Sequence, residues 1–230
     1  MTRIVKKPEI RRNEILDAAE RLLVTKGYEQ MAIHDLVDEL QIAKGTVYHY
    51  FDSKQALLEA LVERMVDQIE QRSLLIVHDP NLSALEKLLR HFASTEQWKR
   101  AHQSLVMEFL HVWYDDENAI VHRKLSRAGV KRIVPLLSRI IQQGVEEGVF
   151  TTPYPDQAAR MIAALHDDLG TAIAELYLST ESMASTVQEI TQMANATMDA
   201  LERLLGAEPG SLPRTSDEEI ASWTNGQRKT

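Results

Sequence analysis

The sequence predicts an all-α protein in which a small N-terminal head of three helices precedes a larger C-terminal helical body, with about nine helices in all. Apolar residues recur at the i, i+3, i+4, i+7 spacing of amphipathic helices along most of the 230 residues. No stretch shows the alternation of a β-strand, a glycine-rich phosphate loop or an internal repeat. Near the N-terminus, two short helical patterns are separated by only three residues, which is the spacing of a helix-turn-helix.

The first two helices of the head have clear boundaries in the sequence. Pro8 suits the first turn of a helix, where its missing N–H needs no partner, and Gly27 is expected to end that helix. Apolar residues at positions 33, 36, 37 and 40 then predict a second, short helix.

A tight turn and a third helix complete the head. Residues 41–43 leave room only for the turn, and the third helix is expected from Lys44 to Phe51, with Val47 and Phe51 facing inward. Asp52 and Gln55 have the spacing of a capping box and predict the start of a fourth, longer helix.

The body continues the helical pattern to about residue 205. Further helices are expected at about 82–95, 97–113, 115–147 (kinked at Pro135), 156–178 and 183–205. From Ala207 the composition changes to "AEPGSLPRTSDEEIASWTNGQRKT", which predicts a loose tail, although Ser216 and Glu219 could cap a short helix in it. The predicted domains are therefore a head at 1–54, a body at 55–206 and a tail at 207–230.

Composition and charge limit the classes of function. The chain has no cysteine and no apolar run long enough to cross a bilayer, and its N-terminus lacks a signal-peptide core, so we expect a cytoplasmic protein with no membrane association. Its net charge is −8, but residues 1–54 are neutral and begin with a basic arm in which five Lys and Arg face only Glu9. This distribution suits a protein that contacts phosphates at one end; a solvated basic tail is the alternative.

The third helix carries an unusual set of residues in "AKGTVYHYFDSK". With Val47 buried, its opposite face presents donors and flat rings that can reach base edges, sugars and phosphates, and a glycine that permits close approach. These residues are Lys44, Gly45, Thr46, Tyr48 and His49, joined by Lys54 in the next helix. The alternative is a short core helix with solvated polar residues.

The stretch "AKGTVYHYFDSKQALLEAL", with "ILDAAERLLVTKGYEQMAIHDLVDEL" before it and "GVEEGVF" later, resembles the TetR family of bacterial transcriptional repressors. The resemblance implies a helix-turn-helix at about 32–51. It also implies DNA contacts by Thr46, Tyr48, His49 and Lys54, with Lys44 and Gly45 at the entrance of the recognition helix and His34 near the DNA backbone. The chain departs from the family at Ala32 and Ala43, where a capping Ser or Thr is usual, and at Gln41, where a turn glycine is usual.

Metal binding and catalysis have little support in the sequence. Glu108, His111 and His122 are scattered without the short spacing of a zinc or iron site, and we expect no metal and no cofactor. The adjacent acids at 115–116 and 167–168 point in different directions on a helix, and no nucleophile motif is present. We therefore expect no enzyme activity.

The sixth predicted helix carries large aromatic residues on one broad face, and the family resemblance implies an effector pocket there. The alternative for each residue is ordinary core. The expected lining is Trp98, His102, Leu105, Phe109, Trp113, Leu125, Met161, Leu165, His166, Leu169 and Ile173. Such a lining favours an apolar aromatic compound or, with Glu108 and Asp167 or Asp168 near the walls, a lipophilic cation, over a sugar phosphate or a metal ion.

The predicted function is a repressor that binds palindromic double-stranded DNA as a homodimer and is released by a small hydrophobic effector. A ligand-independent DNA-binding regulator or DNA-organising factor is the alternative within the same fold, and a helical enzyme is the alternative from another class. Helices eight and nine are expected to form the dimer. The residues proposed for it are Ala163, Ala164, Gly170, Ala172, Ala174, Val187, Ile190, Met193, Ala194, Met198, Leu201 and Leu205.

Overall fold

The computed structural model of the protein describes residues 7–113, 119–178 and 183–224, which form ten helices and no strand. The helices are α1 Pro8–Gln30, α2 Ile33–Leu40, α3 Lys44–Tyr50, α4 Lys54–Val77, α5 Ala84–Ala101, α6 Gln103–Trp113, α7 Ala119–Glu146, α8 Pro155–Leu178, α9 Met183–Leu205 and α10 Asp217–Thr224. The all-α prediction is confirmed, with one helix more than the nine expected. No helix in these three ranges is long and apolar enough to cross a membrane.

The chain divides into two compact units. The first comprises Met1–Asp67 and Ser104–Val121, and the second comprises Gln68–Gln103 and His122–Thr230. The first half of α4 therefore belongs to one unit and its second half to the other, and the two units also divide at the junction between α5 and α6.

Ion pairs between helices brace the first unit around a buried apolar stripe of α1. Lys26 Nζ lies 2.7 Å from Asp35 Oδ1, which ties α1 to α2, and Arg21 pairs with Glu39 in the same way. Arg64 of α4 bonds two carboxylates of α1, those of residues 17 and 20. The buried stripe is Ile15, Leu16, Ala18, Ala19, Leu22 and Leu23.

The end of α1 follows the sequence prediction. Gly27 takes the non-helical angles φ 76° and ψ 160°, so the helix breaks there before its last turn. A side chain would be strained at this positive φ, because a Cβ then approaches the backbone.

A single large apolar cluster holds the second unit together, and it draws on α4, α5, α7, α8, α9 and the segment after α9. Gly144 is required in it, because a Cβ at that position would collide with the ring of Phe150. The fully buried members include Leu88, Leu137, Ile140, Ile141, Phe150, Ile162, Leu201 and Leu205.

The segment 207–224 is not loose, so the prediction of a loose tail is wrong for these residues; residues 225–230 lie outside the described ranges. Leu212 is 2% exposed within the apolar cluster. The Arg214 guanidinium bonds the carboxylates of Glu202 and Asp199, and Thr215 exchanges two hydrogen bonds with the Asn195 amide. The composition suggested disorder, but buried apolar area and paired charges outweigh the entropy of ordering the segment.

The tail helix α10 begins with the capping box that the sequence offered as a possibility. The N–H of Glu219 donates to Ser216 Oγ at 3.2 Å, and the N–H of Ser216 donates to Glu219 Oε2 at 3.0 Å. The helix then reaches the junction of α5 and α6, where Arg100 Nη1 donates to Ser222 Oγ at 3.2 Å and Gln103 Nε2 donates to the Trp223 carbonyl at 2.6 Å.

Two other boundaries differ from the prediction. The break between α5 and α6 falls at His102 and not near residue 96, because α5 runs on to Ala101. Ser53, not Asp52, caps α4, since its Oγ accepts from the N–H of Ala56 at 3.0 Å.

Part of the predicted dimer stripe on α9 is wrong, because the chain's own core uses it. The residues concerned are Val187, Ile190, Leu201 and Leu205, which are all buried. On α8, the predicted dimer residues Ala163 and Ala174 are buried in the same way.

Candidate DNA-binding surface and ligand site

Helix α3 presents the face that the sequence predicts. Val47 is fully buried and Phe51, directly after the helix, is 3% exposed. On the other side Lys44, Gly45, Tyr48 and His49 are exposed, and Thr46 is half-buried. The helix is therefore attached by one apolar edge and leaves its polar face outward.

The turn before α3 compensates for the missing glycine. Gln41 adopts the left-handed region with φ 52° and ψ 46°, and its side-chain amide donates to the Asp38 carbonyl at 2.6 Å. The N–H of Ile42 donates to the Val37 carbonyl at 3.2 Å, which closes the turn.

Ala32 and Ala43 stand at the helix starts where a capping Ser or Thr is usual, and only Ala32 has a substitute for the missing hydroxyl. At the start of α2, the N–H of Ala32 donates to Asp35 Oδ2 at 2.9 Å, so the reciprocal half of a capping box is present. The hydrogen bonds from Lys26 and Ala32 lower the pKa of Asp35, which keeps this carboxylate charged at the helix N-terminus. At the start of α3, Ala43 provides no side-chain acceptor.

Gly45 has no packing reason to be glycine. A Cβ at this position would meet nothing within 4 Å. Glycine inside a helix costs about 0.5–1 kcal/mol relative to alanine. Its open side therefore suits a partner whose backbone comes close.

The other two predicted DNA contacts, Lys54 and His34, have neighbours within the chain. Lys54 Nζ donates to the Glu29 carbonyl at 3.2 Å and lies 4.1 Å from the centroid of the Tyr28 ring. The lysine is thus held at the end of α1 and is half-buried. His34 is exposed, with its Nε2 3.5 Å from Asp35 Oδ1.

The polar groups on the outer face of α3 are not satisfied by the rest of the described chain. Lys44 Nζ lies 5.7 Å from the ring centroid of Tyr48, one turn away. Within the described ranges no hydrogen bond or ion pair engages the side chains of Lys44, Thr46, Tyr48 or His49. The Arg12 guanidinium lies 5.4 Å from the Phe51 ring centroid, which places a further cation near the end of α3. Unpaired donors and rings on one exposed face can contact phosphates, sugars and base edges.

The predicted effector residues are divided between the two units. Leu105 and Phe109 belong to the first unit and are 6% and 5% exposed. The side chains of Trp113 and Leu125 lie outside the described residues. The members in the second unit are Trp98, His102, Met161, Leu165, His166, Leu169 and Ile173.

Trp98 and His102 form one stacked pair in the second unit. Their ring centroids are 4.3 Å apart with an interplanar angle of 17°. The Trp98 indole is 2% exposed and its N–H donates to Gln68 Oε1 at 2.9 Å. The indole therefore has its polar group satisfied by α4, as a buried tryptophan requires.

His166, which the sequence predicts for the ligand site, lies in a cluster with two residues of α5 that were not predicted, His91 and Phe92. The Phe92 ring lies 5.0 Å from the His166 ring and 5.6 Å from the His91 ring, between centroids. His91 is buried and its Nδ1 lies 3.0 Å from Ser73 Oγ. The adjacent histidine and phenylalanine on the apolar face of α5 were the sequence signal for this cluster.

Met161 and the acids of α8 do not lie with these residues. Met161 is 52% exposed and lines an open groove of about 770 Å³ between α7 and α8, together with Val130, Val134, Pro135 and Ala164. Asp167 also lines this groove and accepts from Ser126 Oγ at 2.8 Å. Asp167 and Asp168 are exposed, so within the second unit they are not walls around the buried histidines, and the expectation of a cation held by them loses its support.

Metal binding gains no support from the described part of the chain. There, no group of three histidine, cysteine or carboxylate side chains is arranged to hold an ion.

Comparisons with known proteins agree with this geometry. Residues 15–61 match the family model described as bacterial regulatory proteins, tetR family, and residues 112–192 match the model of the tetracyclin repressor-like C-terminal domain. The HTH-type transcriptional repressor KstR2 of Mycolicibacterium smegmatis is 29% identical over 152 residues, which cover 62% of this chain and 69% of the relative. The repressor NemR of Escherichia coli is 25% identical over 158 residues, which cover 67% and 79%.

Solved structures show the same fold. Salmonella enterica GusR aligns with a TM-score of 0.59 and 18% identity over 88% of this chain and 99% of its own. A transcriptional regulator from Cytophaga hutchinsonii aligns with a TM-score of 0.64 and 15% identity, covering 83% and 96%. With a helix-turn-helix head, a matching C-terminal domain and relatives that are repressors, the chain belongs to the TetR family of DNA-binding transcriptional regulators.

Proposed function

We propose that this protein is a dimeric repressor that binds a palindromic operator through α3 and leaves it when a small hydrophobic effector binds the second unit. The observation that carries the proposal is the outer face of α3, where Lys44, Thr46, Tyr48 and His49 have no polar partner in the described chain. A face of this kind gains its hydrogen bonds when it enters a major groove.

The charge distribution supports contact with DNA at one end of the molecule. Residues 1–54 are neutral, whereas the chain as a whole carries −8. The acidic remainder is repelled by phosphates, so approach is favoured only with the basic arm and α3 leading.

A dimer is proposed because a palindromic operator is read by two heads one helical turn apart, about 34 Å. The exposed face of α8 is the proposed centre of the dimer, since residues of α9 are used in the core. If two antiparallel copies of α8 cross at Ala164, Arg160 of one copy faces Asp168 of the other. Both side chains are exposed and have no ion pair within the described residues. Gly170, farther along α8, leaves open space, because a Cβ there would meet nothing within 4 Å.

Release from DNA is proposed to be a shift between two conformations. An effector that binds one arrangement of the second unit more tightly moves the population toward it. Helix α4 is the candidate connection, because its residues belong to both units.

The test of DNA binding uses the DNA upstream of the protein's own gene in a gel-shift assay. The double variant Lys44→Ala/Tyr48→Ala is expected to lose specific binding, while Lys124→Ala/Tyr154→Ala, two exposed residues of the second unit, should bind as the wild type does. Equal binding by the two double variants would show that α3 is not the contact.

The dimer is tested by a cysteine at the proposed axis. Because the chain has no cysteine, Ala164→Cys introduces a single thiol. Mild oxidation should convert this variant to a covalent dimer, and Gly129→Cys on α7 is the control. Light scattering that shows a monomer at micromolar concentration would exclude this arrangement.

A further inference from the structure

Among the described residues of the second unit, one buried side-chain nitrogen has no hydrogen-bond partner. The Nε2 atom of His166 has no exposed surface, and no group in the described ranges bonds it. His91, nearby on α5, differs, because its Nδ1 is engaged by Ser73 Oγ at 3.0 Å. Buried polar atoms in native proteins are nearly always bonded, so a specific exception indicates a missing partner.

Aromatic surface lies directly beside this nitrogen. The Phe92 ring is tilted by 32° against the His166 ring, with 5.0 Å between the centroids. Phe92, Glu96 and His166 are each partly exposed as residues, although Nε2 itself is not. The cluster therefore borders solvent on one side.

The charges around His166 are balanced. Burial, together with the nearby charge of Lys99 and against the opposing effect of Glu96, lowers the pKa of His166 to about 4, so the imidazole is neutral near pH 7. Glu96 is paired with Lys99 at 2.8 Å. A cationic ligand would need a free carboxylate and an anionic ligand a free cation, and in this cluster the pair already uses both.

We propose that His166 Nε2 is the polar anchor for a neutral ring compound that carries a hydroxyl group and packs against Phe92. A hydroxyl fits because it both donates and accepts, and thus satisfies Nε2 in either tautomer of the neutral imidazole. This proposal rests on the proposed function in one respect, namely that the bound compound is the effector that controls DNA binding.

The experiment compares 2-naphthol with naphthalene as probes of the full-length protein without DNA. Calorimetry should show that the wild type binds 2-naphthol about tenfold more tightly than naphthalene, because only the hydroxyl pairs the buried nitrogen. In protein labelled with 15N-histidine, the His166 Nε2 resonance should shift with 2-naphthol and stay in place with naphthalene.

The variant His166→Phe keeps an aromatic ring and removes the nitrogen. It is expected to bind the two probes equally, and its melting temperature should not fall, because it removes an unsatisfied polar atom. His78→Phe, the same substitution at an exposed histidine, should keep the wild-type preference. If His166→Phe does not fold, the nitrogen shift in the wild type decides the question.

Three results would overturn the anchor: equal affinity of the wild type for both probes, an unchanged preference in a folded His166→Phe, or an Nε2 resonance that 2-naphthol does not move. Failure of the proposed function gives a different result. If 2-naphthol binds through His166 but the gel shift shows no release of DNA, the anchor stands and its role as an effector site is wrong.

Discussion

Two short helices of this protein, α3 and α10, are almost equal in length and opposite in what they do with their polar groups. Helix α3 has seven residues, no side-chain cap at Ala43 and an outer face whose polar side chains find no partner in the described chain. Helix α10 has eight residues and a complete capping box made by Ser216 and Glu219. The segment before it buries Leu212 and pairs Arg214.

The polar face of α3 is therefore available to another molecule, whereas the polar groups of α10 are used within the chain's own fold. Isolated helices of this length are marginal in water, so each is stabilised by what it packs against. Helix α3 is held along the edge where Val47 and Phe51 are buried, which leaves its other side available. The segment that leads into α10 bonds α9, and α10 bonds the end of α5 through Arg100, so here the polar groups stabilise the fold.

The largest effect is expected from Leu212→Ala. This side chain is 2% exposed in the apolar cluster of the second unit. Its truncation should lower the free energy of unfolding by about 3 kcal/mol, through lost burial and the cavity left behind. Urea denaturation at fixed protein concentration measures the change. Leu75→Ala, at a residue that is 77% exposed, is the control and should stay within about 0.5 kcal/mol of the wild type. A small effect at Leu212 would mean that this segment does not stabilise the fold.

The second largest effect is expected from Arg214→Ala, which should lower the free energy of unfolding by about 2 kcal/mol. The substitution leaves the Glu202 carboxylate, which is 6% exposed, without its guanidinium partner. The loss should be smaller than for a fully buried pair, about 3–5 kcal/mol, because Arg214 itself is 33% exposed. Arg203→Ala, at an exposed residue of α9 next to Glu202, serves as the control in the same denaturation series.

The ion pair between Arg214 and Glu202 also predicts that the stability of the protein depends on pH. The hydrogen bond from Arg214 holds the pKa of Glu202 at about 2, below its usual 4.5. A carboxyl with a lowered pKa contributes stability above its unfolded pKa, and this contribution is lost as the pH falls from about 4.5 toward 2. Thermal melts between pH 6 and pH 3 should therefore show a steeper loss for the wild type than for Arg214→Ala. Parallel curves would contradict the assignment.

Tyr48→Ala should weaken DNA binding and leave the fold intact. The ring is 41% exposed, so its removal changes stability little, but specific DNA binding is expected to weaken by about 1–3 kcal/mol. Fluorescence anisotropy with labelled upstream DNA measures it. Tyr154→Ala, at a residue that is 66% exposed in the second unit, should leave binding unchanged.

The smallest effect is expected from Gly45→Ala, which should change stability and DNA binding in opposite directions. Gly45→Ala should raise the free energy of unfolding by about 0.5–1 kcal/mol, since alanine is the better helix former and its Cβ would meet nothing within 4 Å. DNA binding should weaken nevertheless, because the methyl group occupies the space left for the partner. Gly129→Ala in α7, where a Cβ would also meet nothing, should stabilise without an effect on DNA. If both variants bind DNA normally, the open side of Gly45 has no role in recognition.

Much of the fold follows from local patterns. The breaks at Gly27 and after residue 40, the inward position of Val47 and the outward position of Tyr48 all follow from periodicity and turn chemistry, which act over a few residues. The same local chemistry placed the boundary of α5 wrongly, because nothing in "STEQWK" marks where a continuous helix must end.

The candidate ligand site was predicted less well. Trp98 and Phe109 are buried as expected, but Met161 lies in an open groove. The sequence shows that α8 carries apolar residues but not which of them faces the core. Phe92 was missed because its contact with His166 joins residues 74 positions apart.

By itself the sequence determined the helical class, the helix-turn-helix and the exposed face of α3, because each depends on neighbours within one or two turns. Only the tertiary structure decided that residues 207–224 are ordered, that α9 gives part of its apolar stripe to the chain's own core and that His166 holds a buried nitrogen without a partner among the described residues. These three features depend on contacts between distant segments. Burial and the pairing of charges are settled by what a residue meets across the fold, and local propensity carries no information about that.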